Sequence, residues 1–261
     1  MHDSPVWLVI DSLTRIFESV SGKRTAQERF PEVIAAAVRV FTHEGYRAAR
    51  MSDVAREAGL SEAALYRYVD SKEGLFVLAI RHALLLADMP AEELGEQFPL
   101  TPPSLAEMIG EAREFVAAEV PFGSLAAALG QPAPEDPAAE LETVMRELFA
   151  LETQTREAAD MIERSARELP ELADLLNVGL RRPVLAALTE YLGCRARSGA
   201  LRATPDAAAT ARLVLETLTW FARHRYWDPD GAAISADLAA DTAVDALLHA
   251  LVPHAYLEGR P

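Results

Sequence analysis

Lysine and cysteine are the scarce residues of this chain. Lys23, Lys72 and Cys194 are the only ones of their kinds among 261 residues. A single cysteine excludes an internal disulfide and a cysteine-built zinc site. His249 and His254, five apart and without a third ligand near them in sequence, are no substitute, and no metal site is expected. Runs of eighteen apolar residues are missing, so no membrane-spanning helix is expected. The start, MHDSPVWLVIDS, has an aspartate, no basic segment and an apolar run of only Val6–Ile10; it does not read as a secretion signal, and a cytoplasmic protein is expected. No G-x-S-x-G, Walker loop, dinucleotide fingerprint or H-E-x-x-H occurs, so neither an enzyme nor a cofactor is expected.

What is present in excess is acid. The net charge is −15, an unpromising balance for a partner of nucleic acid. Its distribution matters more than its sum. Residues 1–81 hold 11 basic and 11 acidic side chains, whereas residues 82–261 hold 14 and 29. Phosphate attraction is felt within about 8–10 Å at physiological salt, so the neutral first segment is the part that can approach a polyanion.

Strand-like alternation is also missing, and helical spacing runs throughout. The pattern predicts helices over 5–20, 30–44, 72–88, 104–119, 137–168, 171–193, 205–227 and 235–251. Pro31 must then lie near a helix start or kink it, and Pro183 is a candidate kink. Ser71 and Ser235 are candidate caps. The fold class is all-α: an N-terminal three-helix head with a helix-turn-helix, and a larger C-terminal helical domain.

Residues 50–72, RMSDVAREAGLSEAALYRYVDSK, carry the most information. Met51, Val54, Ala55 and Ala58 share one helical face. Gly59 suits the left-handed conformation that ends a helix. Leu60 is an apolar plug, Ser61 an N-cap, and Leu65 the residue a second short helix buries. Two such helices at a steep angle suit the placing of the second in a DNA major groove. Its leading residues, Ser61, Glu62, Ala63 and Ala64, then face base edges. Arg67 suits a phosphate or a guanine; Glu62 can accept from a cytosine amine or simply complement the helix N-terminus.

Beyond this motif, Ala36-Ala37, Phe41, Gly45-Tyr46, Val54-Ala55, Ala58-Gly59-Leu60-Ser61, Leu65-Tyr66-Arg67-Tyr68 and Ser71-Lys72-Glu73-Gly74-Leu75 stand in order at matching spacing. On these residues, 29–76 resembles the DNA-binding domain of the TetR/AcrR family of bacterial transcriptional regulators. The resemblance implies a homodimer that binds a palindromic operator in double-stranded DNA and a C-terminal domain that binds a small effector. Ligand binding typically releases DNA in such proteins. It also implies backbone contacts from Tyr66 and Lys72, with Tyr68 beside them. Arg50 stands where the family usually has a threonine cap; Ser52 is a candidate replacement, and Arg50 a candidate phosphate donor. The division so implied is an extension at 1–28, a head at 29–75 with its motif at 50–69, a ligand-binding and dimerisation domain at 76–255, and a tail at 256–261.

In the C-terminal domain, Met108, Phe115, Phe122, Met145, Phe149 and Trp220 are candidate lining for an apolar or amphipathic effector, with Phe98, Met161 and Phe221 beside them. His224 or Arg223 is a candidate partner for an acidic group on it, although cations at a helix end are favourable anyway. The last two long helices are the expected dimer bundle, through Ala211, Val214, Leu215, Leu218, Leu238, Val244, Leu247, Leu248 and Leu251. Lys23 and Arg24 read as a short arm or a plain linker, and Cys194, beside Arg195 and Arg197, as a candidate redox-sensitive thiol. The alternative to a regulator is a helical module that binds small molecules or proteins with little specific DNA binding.

Overall fold

The computed structural model describes residues 25–83, 98–118 and 123–257, with backbone alone for 112–118. The expected helix at 5–20, Lys23 and Arg24, the far end of the 72–88 helix, Phe122, the Phe115 side chain and most of the tail lie outside these residues. The described residues are largely helical, and an isolated bridge between Val69 and Leu100 is the only strand-like pairing among them.

The head holds α1 (Ala26–Glu44), α2 (Met51–Glu57), α3 (Glu62–Leu65) and α4 (Lys72–Ala83). The first starts earlier than the expected residue 30, within the 1–28 extension. Thr25 and Glu28 form a reciprocal box: the Thr25 hydroxyl accepts from the Glu28 N–H, and the Glu28 carboxylate from the Thr25 N–H at 2.7 Å. Pro31 therefore falls in the second turn, on the exposed side.

The rest comprises α5 (Leu105–Ala118), α6 (Gly123–Leu129), α7 (Pro137–Gln154), α8 (Arg156–Ala166), α9 (Pro170–Asp174), α10 (Arg182–Arg197), α11 (Ala207–Ala222) and α12 (Ala236–Leu251). The short α6 was not foreseen. The expected 137–168 helix is cut at Thr155, where Thr153 and Thr155 turn their hydroxyls back onto the Phe149 and Leu151 carbonyls, each at 2.8 Å. Such bonds compete with the helical ladder and bend it. The 171–193 helix is interrupted by a widened π stretch, Leu175–Arg181, just before Pro183. Wider turns give the proline ring the room that a regular helix denies it.

Two hydrophobic cores organise the described residues, and they do not divide at residue 76. The first combines α1–α4 with Met108 and Ile109 of α5, Ala158, Met161 and Ile162 of α8, and Leu172. The second joins α6, α7, α10, α11 and α12. Helix α8 thus packs with the head. Its C-terminal end and the residues just after it also hold the loop after α1: Ser165 accepts from the Tyr46 N–H at 3.1 Å, and Glu168 from the Arg47 N–H at 3.1 Å.

One expectation about α11 and α12 is overturned. Ala211, Val214, Leu215, Leu218, Val244, Leu247, Leu248 and Leu251 are buried in the second core of the same chain. Only Leu238 of that set faces outward, together with Leu213 and Trp220. Spacing marks an apolar stripe on a helix but does not say whose surface the stripe covers.

Candidate nucleic-acid interface

The turn between α2 and α3 follows from three residues. Gly59 adopts φ +65°, and the Leu60 N–H returns to the Ala55 carbonyl at 2.7 Å, closing α2. Ser61 then accepts from the Ala64 N–H at 3.2 Å and opens α3. That helix is four residues long and continues as a tighter turn, with the Tyr68 N–H on the Leu65 carbonyl at 2.9 Å. So short an element cannot hold itself. Leu65, fully buried, and Val69 pin it to the core.

This anchoring sorts the expected contact residues. Ser61, Glu62 and Ala63 are exposed and Ala64 half-buried along the leading edge, while Tyr66 and Arg67 are exposed at the trailing end. Arg67 has no ion-pair partner among the described residues. Tyr68 departs from expectation: it is buried, its ring 6.5 Å from Phe30 and 5.5 Å from Phe98. A ring on the inner side of a turn pinned by Leu65 has nowhere else to go, so Tyr68 supports the element instead of standing beside Tyr66 on its surface.

Around α2, Arg50 is exposed and extended. Its N–H is taken by the Asp53 carboxylate at 3.2 Å. The start of α2 is completed by Asp53, not by Ser52, which is exposed at the second helical position. Arg56 and Arg39 flank a polar groove of about 660 Å³ between α1 and α2 and are neutralised there by Asp53 at 2.8 Å and Glu57 at 2.7 Å. Lys72 is turned inward. Its ammonium donates to the Arg47 carbonyl at 3.1 Å and sits 4.7 Å from the Tyr46 ring centre. Burial holds it below its ordinary pKa, against the pull of Glu168.

Sequence reading missed Arg47. Its side chain is exposed on the loop that α8 fastens, three residues before Arg50. Arg47, Arg50 and Arg67 are the exposed head arginines around the motif whose guanidinium groups have no carboxylate partner among the described residues. The available signal was the pair of arginines three apart in YRAAR, at the entrance to the motif.

The expected effector lining is dispersed. Met108 belongs to the first core; Met145 and Phe149 belong to the second. Trp220 is 38% exposed, edge-on to Phe221 at 5.0 Å. His224 lies 3.8 Å from Glu163, beside a cavity of about 470 Å³ at the junction of α1 and α8 whose walls include Thr42, Glu44, Asp160, Glu163 and Trp227. Arg223 is buried among Glu163 at 2.9 Å and Glu152 and Asp160 at 3.4 Å. Cys194 is half-buried and meets the Arg197 guanidinium at 3.0 Å, while Arg195 points away into the protein.

Comparison with known proteins fits this arrangement. Residues 33–79 match the family model described as bacterial regulatory proteins, tetR family. HTH-type transcriptional regulator HbdR of Aromatoleum sp. (strain CIB) is 29% identical over 65 residues, 25% of this chain and 28% of that protein. The match therefore spans little more than a quarter of that relative's length. Among solved structures, ketosteroid transcriptional regulator KstR2 of Mycobacterium tuberculosis superposes with a TM-score of 0.54 at 14% identity, covering 89% of this chain and 97% of that one. AibR, solved with isovaleryl coenzyme A and operator DNA, superposes with a TM-score of 0.50 at 17% identity, covering 85% and 98%. At such identities the superpositions bear on the fold alone.

Proposed function

Because the chain belongs to the tetR family of bacterial regulatory proteins, we propose that it is a dimeric repressor that binds a palindromic operator and leaves it when a small apolar or amphipathic molecule binds. The observation that carries this reading is the outward set Ser61, Glu62, Ala63, Tyr66 and Arg67, presented by an element whose other face is locked into the core. Glu62, Ala63 and Arg67 read base edges, Arg67 at a guanine; Tyr66, with Arg47 and Arg50 behind it, sets the register on phosphates. Leu213 and Trp220 of α11 and Leu238 of α12 form the face on which two copies meet. Support for the effector class is by analogy of fold, since AibR was solved with both an acyl-coenzyme A and operator DNA.

The test is selection of duplexes from a random-sequence pool, followed by footprinting and a salt titration. The expected result is a two-fold symmetric site whose affinity falls with salt at a logarithmic slope of about −0.9 per neutralised phosphate. Failure to select any sequence, with a shallow slope, would reverse the reading in favour of a helical small-molecule or protein-binding module. The exposed Glu62 and the inward-turned Lys72 give that second reading its footing. A thermal-shift series of acyl-coenzyme A thioesters and free fatty acids then tests the effector class.

A further inference from the structure

Residues 98–104 lead into α5, yet they lie against the trailing end of the DNA-facing element. The Leu100 N–H donates to the Tyr68 carbonyl at 2.7 Å, and the two segments run parallel where Val69 faces Leu100. The Phe98 ring closes over Tyr68 and Phe30, with centres 5.5 and 5.6 Å away. The Thr101 hydroxyl meets the Asp70 carboxylate at 3.3 Å. At the far end of the strap, Glu73 accepts from the Leu105 N–H at 3.0 Å, and Pro102 lies so near Gly74 that a Cβ there would stand 2.8 Å from its ring. The strap therefore touches the head from Tyr68 to Gly74 before the chain enters α5.

Tyr68 directly follows Tyr66 and Arg67. Helix α3 has four residues, and its trailing turn is set by what grips Tyr68 and Val69. A contact set reads bases only when its supporting shell fixes it to a fraction of an ångström. We infer that Phe98 and Leu100 are positioning residues for DNA reading: the strap fixes the orientation in which Tyr66 and Arg67 face the duplex, and makes that orientation answerable to α5. This rests on the DNA-binding function proposed above. It assigns the strap a task beyond filling the core, because the strap grips the backbone carbonyl of Tyr68, the residue that follows the exposed pair.

The experiment uses the full chain and a duplex selected by the wild-type protein, with an unrelated duplex of equal length as reference. Phe98→Ala should lower affinity for the selected duplex tenfold or more, while affinity for the reference stays within twofold. Phe98→Tyr should recover the selected duplex to within threefold. Amide exchange in Phe98→Ala should quicken at residues 66–69 and leave α7 unchanged. A parallel loss on both duplexes, or retention of the selected one, overturns the proposal. If the alanine variant does not fold, Phe98→Leu is scored by the same pair of affinities. Failure of the wild type to select any duplex is seen before a variant is made; it removes the DNA-binding reading and the proposal with it.

Discussion

Three arginines of the head and three of the body have opposite fates. Arg47, Arg50 and Arg67 stand exposed without a carboxylate among the described residues. Arg195, Arg223 and Arg225 are at least 95% buried. Arg195 is held by Glu140 at 2.7 Å and by the Ala128 and Gln131 carbonyls at the end of α6. Arg225 bonds the Phe221 and Ile234 carbonyls and the Tyr226 hydroxyl, closing the end of α11. The acidic body thus uses its buried cations internally, and the neutral head keeps its free ones on the surface. That difference is how a chain of net charge −15 can offer cations to a polyanion: what counts is the unpaired charge on the approaching face.

If the contrast is right, buried arginines govern stability and exposed ones govern binding. Arg195→Met should be the costliest change. It strands Glu140 and two carbonyls, and breaking such a buried pair from one side costs about 3–5 kcal/mol. Urea unfolding followed by helical signal measures it. Equal destabilisation by Arg67→Ala would break the comparison.

Arg223→Met comes next, at about 3 kcal/mol near neutral pH by the same reasoning, and it has a pH signature. Burial pushes the Asp160 carboxyl above its ordinary range, opposed first by Arg223 and then by the Trp227 indole N–H and Arg156; without Arg223 the largest of these opposing influences is gone. A carboxyl raised in the folded state takes up a proton on folding, so its penalty grows as pH rises through the folded value and fades below it. Glu163 is the reverse case. Burial would raise it, but His224 and Arg223 together hold it low, so the wild-type stability it supplies is lost as pH falls through that lowered value. Both effects shrink the gap between wild type and variant on acidification from neutral towards the carboxylate range. A gap independent of pH would exclude Asp160 and Glu163 as its source.

The same contrast explains what could be read from sequence. The bounds of α2, the left-handed Gly59, the Ser61 cap and the buried Leu65 are decided by residues within a few positions of one another, so local signals sufficed. The box between Thr25 and Glu28 was equally local and was overlooked because the surrounding residues look like a linker. Arg195 was not legible: its carboxylate lies 55 residues away, and the carbonyls it holds terminate a helix that composition did not announce. Tyr68 failed for the same reason, since Phe98, which covers it, arrives 30 residues later. The outward faces of α11 and α12 needed the whole second core to be assembled before the stripe could be assigned.

On the binding side, Arg67→Ala should cost about 1–3 kcal/mol on the selected duplex if a guanine edge is lost, and leave unfolding within about 0.5 kcal/mol of wild type. Arg47→Ala and Arg50→Ala should weaken selected and unrelated duplexes alike, each reducing the salt slope by about one, as phosphate contacts do. A base-specific loss at Arg47 would reassign that loop from register to reading.

The smallest effect tests whether the two roles meet in one residue. Ser61 caps α3 through the Ala64 N–H and is also exposed at the leading edge of the element. Removing a cap costs about 1 kcal/mol of stability, whereas glycine in the same place costs only a few tenths. Ser61→Ala and Ser61→Gly should therefore differ by that margin in unfolding, and if Ser61 is only a cap their affinities for the selected duplex should follow the same order. If both lose affinity equally while their stabilities differ, the hydroxyl itself contacts DNA, and capping and reading are separable functions of one side chain. Asp at this position sharpens the result: it caps as well as serine, but it brings a negative charge to the DNA-facing surface, so stability near wild type with weakened binding is the expected outcome.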